Sequence, residues 1–286
     1  MTLPSAQRLY QATNTTWPAR RTRQEAGWEI RDGAGGGKRV SAVTLAQKEL
    51  PDIDWIEATL TAQGQEHLFM IRDGDEALDA SLAARGYEII DPVTLYLCET
   101  AHLRPASLPR AQSYCIWEPL HIMREIWAVG GIQEPRIALM HRVQTPKTAL
   151  LARSGDTPAG VGFLALDGEI AMLHAVEVLP SYRRRGVAKK LMAQATKWAE
   201  DHGAKYMALM TTRDNQAANR LYSSLGMRVV FVNAKMQGGL QIEDWSNNAN
   251  ALIEKFHANL PSSIGLEIVY AQSVYTNQRM NSLANN

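Results

Sequence analysis

The chain is expected to fold as an α/β (α+β) protein, with a mixed central sheet flanked by helices. Three observations carry that expectation. Residues 170–178 are apolar on both faces, as in a strand at the middle of a sheet. Pro180-Ser181-Tyr182-Arg183-Arg184-Arg185-Gly186-Val187-Ala188 follows, and then an amphipathic helix. A second strand and a second capped helix come before Gly226-Met227.

From the amino terminus, residues 14–23 are polar and basic. Residues 27–32 predict a strand, 32–37 a glycine-rich turn and 39–45 the hairpin partner. A helix is predicted over 52–63, because Ile53, Ile56 and Leu60 share one stripe and Asp52 or Asp54 is available as a cap. A short strand is expected over 67–71, and a helix over 75–84 closed by Gly86. Strand character returns over 87–97, interrupted near Pro92. Pro105 and Pro109 mark a connection. Beyond it, 120–129 predicts a helix, and 148–153 with 159–166 a hairpin turned at Ser154-Gly155-Asp156. After the turn at Gly186, Val187, Ala188, Leu191, Met192, Ala195, Trp198 and Ala199 recur at helical spacing until Gly203. Residues 75–90 lie over 215–230 at a constant offset, with Gly86-Tyr87-Glu88-Ile89-Ile90 on Gly226-Met227-Arg228-Val229-Val230. A tandem duplication is expected from this match, against the plainer reading that many helices end in glycine before a strand.

Composition narrows the function classes. The chain has 286 residues, 45% apolar and 21% charged, the profile of a soluble globular protein. A net charge of +1 gives no bulk argument for nucleic acid or for an anionic membrane, so anion recognition has to be local. Only Cys98 and Cys115 are present, without metal-ligand spacing or a disulfide framework, which suits a reducing cytoplasm. No metal site is expected. The first ten residues lack a basic patch before an apolar core, and no apolar run is long enough to span a bilayer.

Gly186 stands where a helix begins, so backbone N–H groups from Arg184, Arg185, Gly186, Val187 and Ala188 form a row at a helix N-terminus. The missing Cβ of Gly186 lets a diphosphate approach those amides, and Arg183, Arg184 and Arg185 add positive charge. Taken alone, a motif this short reads more simply as a solvated basic turn that caps a helix.

In context these residues resemble the GNAT superfamily of acyl-CoA-dependent N-acyltransferases. The resemblance rests on Val178-Leu179-Pro180, on Arg183 through Ala188, on Asn215-Gln216-Ala217-Ala218, and on Leu221-Tyr222 before Gly226-Met227. It implies a splayed sheet, acetyl-CoA (coenzyme A) as co-substrate, and transfer to an amine. Val176 and Val178 would bond the pantetheine arm, the turn amides the diphosphate, and Asn215 with Ala218 the cofactor near the second helix. Tyr222 would protonate the departing thiolate, its plainer role being to pack on the sheet. Leu173-His174-Ala175-Val176 resembles the matching strand of arylalkylamine N-acetyltransferases, where a histidine at this place helps deprotonate the amine. Met172 replaces the second histidine of those enzymes, and Glu177 competes as base. Simple alternation sets His174 with Met172 and Val176, opposite Glu177, unless a bulge alters that parity. A core histidine bonded to a backbone carbonyl is the competing role for His174.

Gly27-Trp28, Lys38-Arg39 and Ala83-Ala84-Arg85-Gly86-Tyr87 resemble the N-terminal half of certain two-domain bacterial members. The resemblance implies three segments: a degenerate GNAT-like domain at 1–110, a catalytic domain at 111–237 and a C-terminal extension at 238–286. Trp28, Arg39 and Trp55 are candidate cleft residues. The extension has helical periodicity over 245–260 and strand character over 265–274. The expected activity is N-acetyl transfer to a small-molecule or peptide amine, without nucleic-acid or membrane partners; a homodimer is compatible with it. The alternative is a non-catalytic acyl-CoA-binding regulatory module.

Overall fold

Alternating apolar side chains over 147–178 build the middle of the main sheet. The elements, in a computed structural model that describes residues 3–104 and 112–232, are α1 (Ala6–Thr16), β1 (Arg21–Glu25), β2 (Trp28–Asp32), β3 (Thr44–Leu45), α2 (Ile53–Ala62), α3 (Glu76–Ala84), β4 (Val93–Glu99), α4 (Thr100–Leu103), β5 (Ser113–Ile116), α5 (His121–Val129), α6 (Glu134–Arg142), β6 (Lys147–Ser154), β7 (Thr157–Asp167), β8 (Ile170–Val178), α7 (Val187–Asp201), β9 (Tyr206–Thr212), α8 (Gln216–Ser224) and β10 (Arg228–Val232). The expectations for 105–110 and 238–286 lie outside the described residues.

Seven strands run in the order β10-β4-β9-β8-β7-β6-β5. The β4–β9, β5–β6, β6–β7 and β7–β8 pairs are antiparallel, whereas β8 and β9 are parallel. The parallel pairing covers only Ile170↔Tyr206 through Leu173↔Leu209, although β8 continues to Val178 and β9 to Thr212. The two strands therefore part beyond Leu173.

Each face of this sheet is covered as its pattern demands. Leu150, Leu164, Leu166, Ala171 and Leu173 pack under Val187, Leu191, Met192, Ala195 and Ala199 of α7. The alternate positions Ala149, Leu151, Val161, Phe163 and Ala165 lie under Met123, Ile126 and Trp127 of α5 and Ile137, Leu139 and Met140 of α6. On α1, Leu9 and Ala12 cover Leu95, Leu97, Ile170 and Met172. A separate three-stranded sheet, β1-β2-β3, packs Trp28, Ile30 and Leu45 against Ile53, Ile56 and Leu60 of α2 and Leu78 and Leu82 of α3.

Several expectations change. The strand expected at 87–97 begins at Val93, and it pairs with β9 rather than within the first segment. β4 joins the seven-stranded sheet and α1 packs on it. The hairpin partner of β2 is β1, turned at Ala26 and Gly27, whose φ values of 48° and 83° match a two-residue turn of the primed kind. Every β1 residue is exposed, so its sequence shows no alternation. Residues 38–40 form a 3-10 turn, and only Thr44 and Leu45 pair with β2. The strand expected at 67–71 is reduced to a single bridge, Val43↔Phe69. Gly86 and Gly226 end α3 and α8 in the same left-handed conformation, at φ 86° and 77°, but no strand follows at 87–90.

Leu9 is fully buried between α1 and the sheet. Leu9→Ala is expected to cost about 2–5 kcal/mol of unfolding free energy in urea; a loss below about 0.5 kcal/mol would show that α1 does not pack there.

Candidate active site

The bulge in β8 organises the site. Ala175 sits at φ 50°, and the β7 register passes from Phe163↔His174 to Val161↔Glu177, so that Ala175 and Val176 together stand opposite the single residue Gly162. The indole Nε1 of Trp127 donates to the Ala175 carbonyl at 2.7 Å and holds the bulge from the α5 side. The extra residue alters the expected parity. His174 and Glu177 now lie on one face with Phe163 and Val161, while Val176 and Val178 pack toward α7.

His174 is buried, and its ring stacks on Trp17 with centroids 5.0 Å apart. Its Nε2 is 2.9 Å from the Thr16 hydroxyl, which itself donates to the Ala12 carbonyl at 2.7 Å. That hydroxyl has one proton, so Nε2 carries the hydrogen and Nδ1 the lone pair. Burial, and secondarily the charge of Arg39, holds the imidazole well below its ordinary value of 6.5.

The Glu177 side chain is 16% exposed and ion-paired with Arg183 at 3.2 Å. It rests against the end of α5: a Cβ on Gly130 would stand 2.5 Å from Glu177 Cδ. Gly130 has φ −84°, which any residue can adopt, so close approach of the carboxylate explains the glycine.

The turn behaves as a helix start open to an anion. Gly186 is the N-cap of α7 in the left-handed conformation, φ 77° and ψ 5°, with no side-chain cap and no acidic residue in the first turn. By contrast Ser5, Asp52 and Asn215 cap α1, α2 and α8 with side-chain oxygens. Arg184 is also left-handed at φ 62°, which turns successive N–H groups toward the same side. Arg183 folds back, with Nε on the Val178 carbonyl at 3.1 Å, and Arg185 lies over the Tyr182 ring. Gly160 beneath the turn lets β7 touch α7; a Cβ there would come 2.6 Å from Val187 Cγ1. Val187 is buried and Ala188 partly so.

On the other side of the parted strands, Asn215 accepts from the Ala218 amide at 3.1 Å, which leaves its NH2 group available. Tyr222 is 5% exposed, with its ring 5.5 Å from Tyr96. Burial, then Tyr96, pushes its phenol up to about 12, so the proton is retained at neutral pH. Sequence reasoning missed Asn219, whose NH2 bonds the Thr212, Arg213 and Asn215 carbonyls while its oxygen accepts from Tyr96. Its spacing of four from Asn215 was the available signal. Thr16, Trp17 and Trp127 carried no local signal. Of the three candidate cleft residues, Trp28 is fully buried in the core of the small sheet and Trp55 packs against that core. Only the charge of Arg39 reaches His174.

A mixed sheet parted beside an uncapped helix start defines the class: an acetyltransferase fold. The profile of the Acetyltransferase (GNAT) family matches residues 116–227. The chain is 35% identical over 103 residues to the aminoglycoside N(6')-acetyltransferase type 1 of Acinetobacter genomosp. 13, which covers 31% of this chain and 70% of that protein. It belongs to the GNAT acetyltransferase family. Against the aminoglycoside N(6')-acetyltransferase type 1 of Salmonella typhimurium, 36% identical over 66 residues, the match covers 22% of this chain and about half, 46%, of that protein. The uncharacterized N-acetyltransferase YobR of Bacillus subtilis is 25% identical over 222 residues, 74% of this chain and 90% of that protein. The fold is shared with the GCN5-related N-acetyltransferase from Kribbella flavida, at TM-score 0.58 and 20% identity, over 80% of this chain and 93% of that one.

The depressed His174 value has a stability consequence. At and above the ordinary 6.5 the neutral ring costs nothing extra; as pH falls below it, the unfolded chain binds a proton that the folded chain refuses. By pH 5 the loss from this group should approach about 2 kcal/mol. Urea unfolding at pH 7.5 and 5 should therefore show a smaller drop in His174→Gln than in the parent; equal drops would contradict a neutral buried His174.

Proposed function

We propose that this protein transfers an acetyl group from acetyl-CoA to an amine by direct attack in a ternary complex. The observation that carries this reading is the parting of β8 from β9 beyond Leu173, beside an α7 start with neither side-chain cap nor acidic first turn. Amides from Arg184 through Ala188 would hold the diphosphate, assisted by the charges of Arg184 and Arg185. The β8 edge at Val176 and Val178 would bond the pantetheine arm as an added strand, and Asn215 would reach the arm from α8.

Glu177 takes the amine proton in this reading. His174 is the weaker base, because its Nε2 is committed to Thr16 and both burial and Arg39 oppose the imidazolium. Gly130 and Arg183 fix the Glu177 carboxylate beside the bulge. The Val176 amide, at the bulge beside Glu177, is the candidate donor to the tetrahedral oxyanion. Tyr222, a phenol that keeps its proton, delivers it to the departing thiolate. Neither cysteine takes part, and much of the acceleration comes from positioning. The free thiols of Cys98 and Cys115 fit a reducing, cytoplasmic setting, and no helix among the described residues is long and apolar enough to cross a membrane.

Tyr222→Phe should lower kcat by about 10²-fold while acetyl-CoA affinity, read by calorimetry, stays within about twofold. Unchanged turnover would remove Tyr222 from the acid role. Glu177→Gln should lower kcat by a similar 10²-fold or so while acetyl-CoA affinity stays within about twofold. Unchanged turnover in that variant would return the base to His174.

A further inference from the structure

Arg39 lies in the 3-10 turn Lys38–Val40, next to Val40, which is buried with Trp17, Trp127 and Phe163 on the His174 and Glu177 face. Its side chain is partly buried. Opposite stands Arg136 of α6, partly buried as well, its guanidinium drawn over Gly37. A Cβ on Gly37 would fall 3.0 Å from Arg136 Nη2 and 3.3 Å from Nε, and Gly37 itself has φ 101°. That glycine is what lets the turn and the arginine meet.

Neighbouring cations are satisfied. Arg31 bonds Glu29 and the Ala42 carbonyl, Lys147 bonds the His141 and Val143 carbonyls, and Arg183 bonds Glu177. Among the described residues, the guanidinium groups of Arg39 and Arg136 have neither hydrogen-bond nor ion-pair partners. Their nitrogens are not sealed in the interior either, unlike the unpaired buried nitrogens of Arg142 and Arg213. Burial, and then Arg136, pushes Arg39 down to about 10, still protonated at neutral pH. Two like charges held together without a carboxylate are the arrangement of a subsite for an anion, and two planar forks suit a carboxylate or phosphate.

We propose that Arg39 and Arg136 bind an anionic group of the acceptor, so that the amine acetylated by this protein belongs to a molecule that also bears a carboxylate or a phosphate. The inference rests on the amine-transfer reading above and names its substrate class. The anion is held at the turn whose Val40 packs with Trp17 and Phe163 on the sheet face that His174 and Glu177 share, and the amine of the same molecule is left to reach Glu177 at the bulge. A polycationic amine is repelled from the same place.

The test is CoA release with matched acceptors: free amino acids against their C-terminal amides, and O-phosphoethanolamine against ethanolamine. The anionic member of at least one pair should win by about tenfold in kcat/KM, mainly through KM, the scale of one charge-assisted contact. The winning pair distinguishes carboxylate from phosphate. Arg39→Gln and Arg136→Gln should each erase most of that preference, Arg39→Lys should keep part of it, and calorimetric acetyl-CoA affinity should stay unchanged in all three. Calorimetry of N-acetyl amino acids against their amides, and of N-acetyl-O-phosphoethanolamine against N-acetylethanolamine, on the CoA-saturated protein supplies a readout independent of turnover. Equal or better use of neutral or polycationic amines, an anionic preference surviving both substitutions, or equal binding within both product pairs would overturn the proposal. Failure of the transfer reading looks different: no acceptor of either kind would release CoA, whether or not acetyl-CoA binds.

Discussion

One left-handed residue, Ala175, held through its carbonyl by the Trp127 indole, sets the geometry of everything nearby. Without the bulge, β8 would keep its alternation, and His174 and Glu177 would face opposite sides. With it, both come to one face, Val176 turns toward α7, and two residues of β8 stand opposite one of β7. A positive φ on a residue with a Cβ costs roughly 1–2 kcal/mol and persists only where the surroundings impose it. Here those surroundings are a fully buried tryptophan and two sheet faces packed by α7 and α5.

The site divides between two parts of the chain. In the proposed reading the cofactor side comes from one continuous stretch, β8 through α8, in which the strand edge, the turn amides and Asn215 follow in order. In the same reading the acceptor side is assembled from afar: Thr16 at the end of α1 and Trp17 after it, Arg39 after the glycine turn, and Arg136 on α6. Phosphate capture needs only backbone at a helix start, which local sequence can specify. Walls of an acceptor pocket need side chains from distant elements, so relatives can share the first part and differ in the second.

The same division decides what was legible. β8, the turn at Gly186, α7 and α8 declared themselves through apolar periodicity, glycine placement and an Asn cap, all local signals. Element types in 147–178 followed for the same reason. α1 was not legible: its buried stripe, Leu9, Ala12, Thr13 and Thr16, is half threonine and reads as polar. β1 is wholly exposed, and the partner of β4 lies more than a hundred residues away, so pairing could not be inferred from either. The facing of His174 and Glu177 failed under alternation because one extra residue reverses parity, and no composition rule announces a bulge.

The most direct test is an amide NMR titration of the protein with acetyl-CoA. The largest shifts are expected at the backbone amides of Val176 and Val178 and across 184–188, with a smaller response at Asn215 and Ala218. Saturating acetyl-CoA that leaves the amides of 176–188 unmoved would contradict a cofactor site built from the parted strand and the open start of α7.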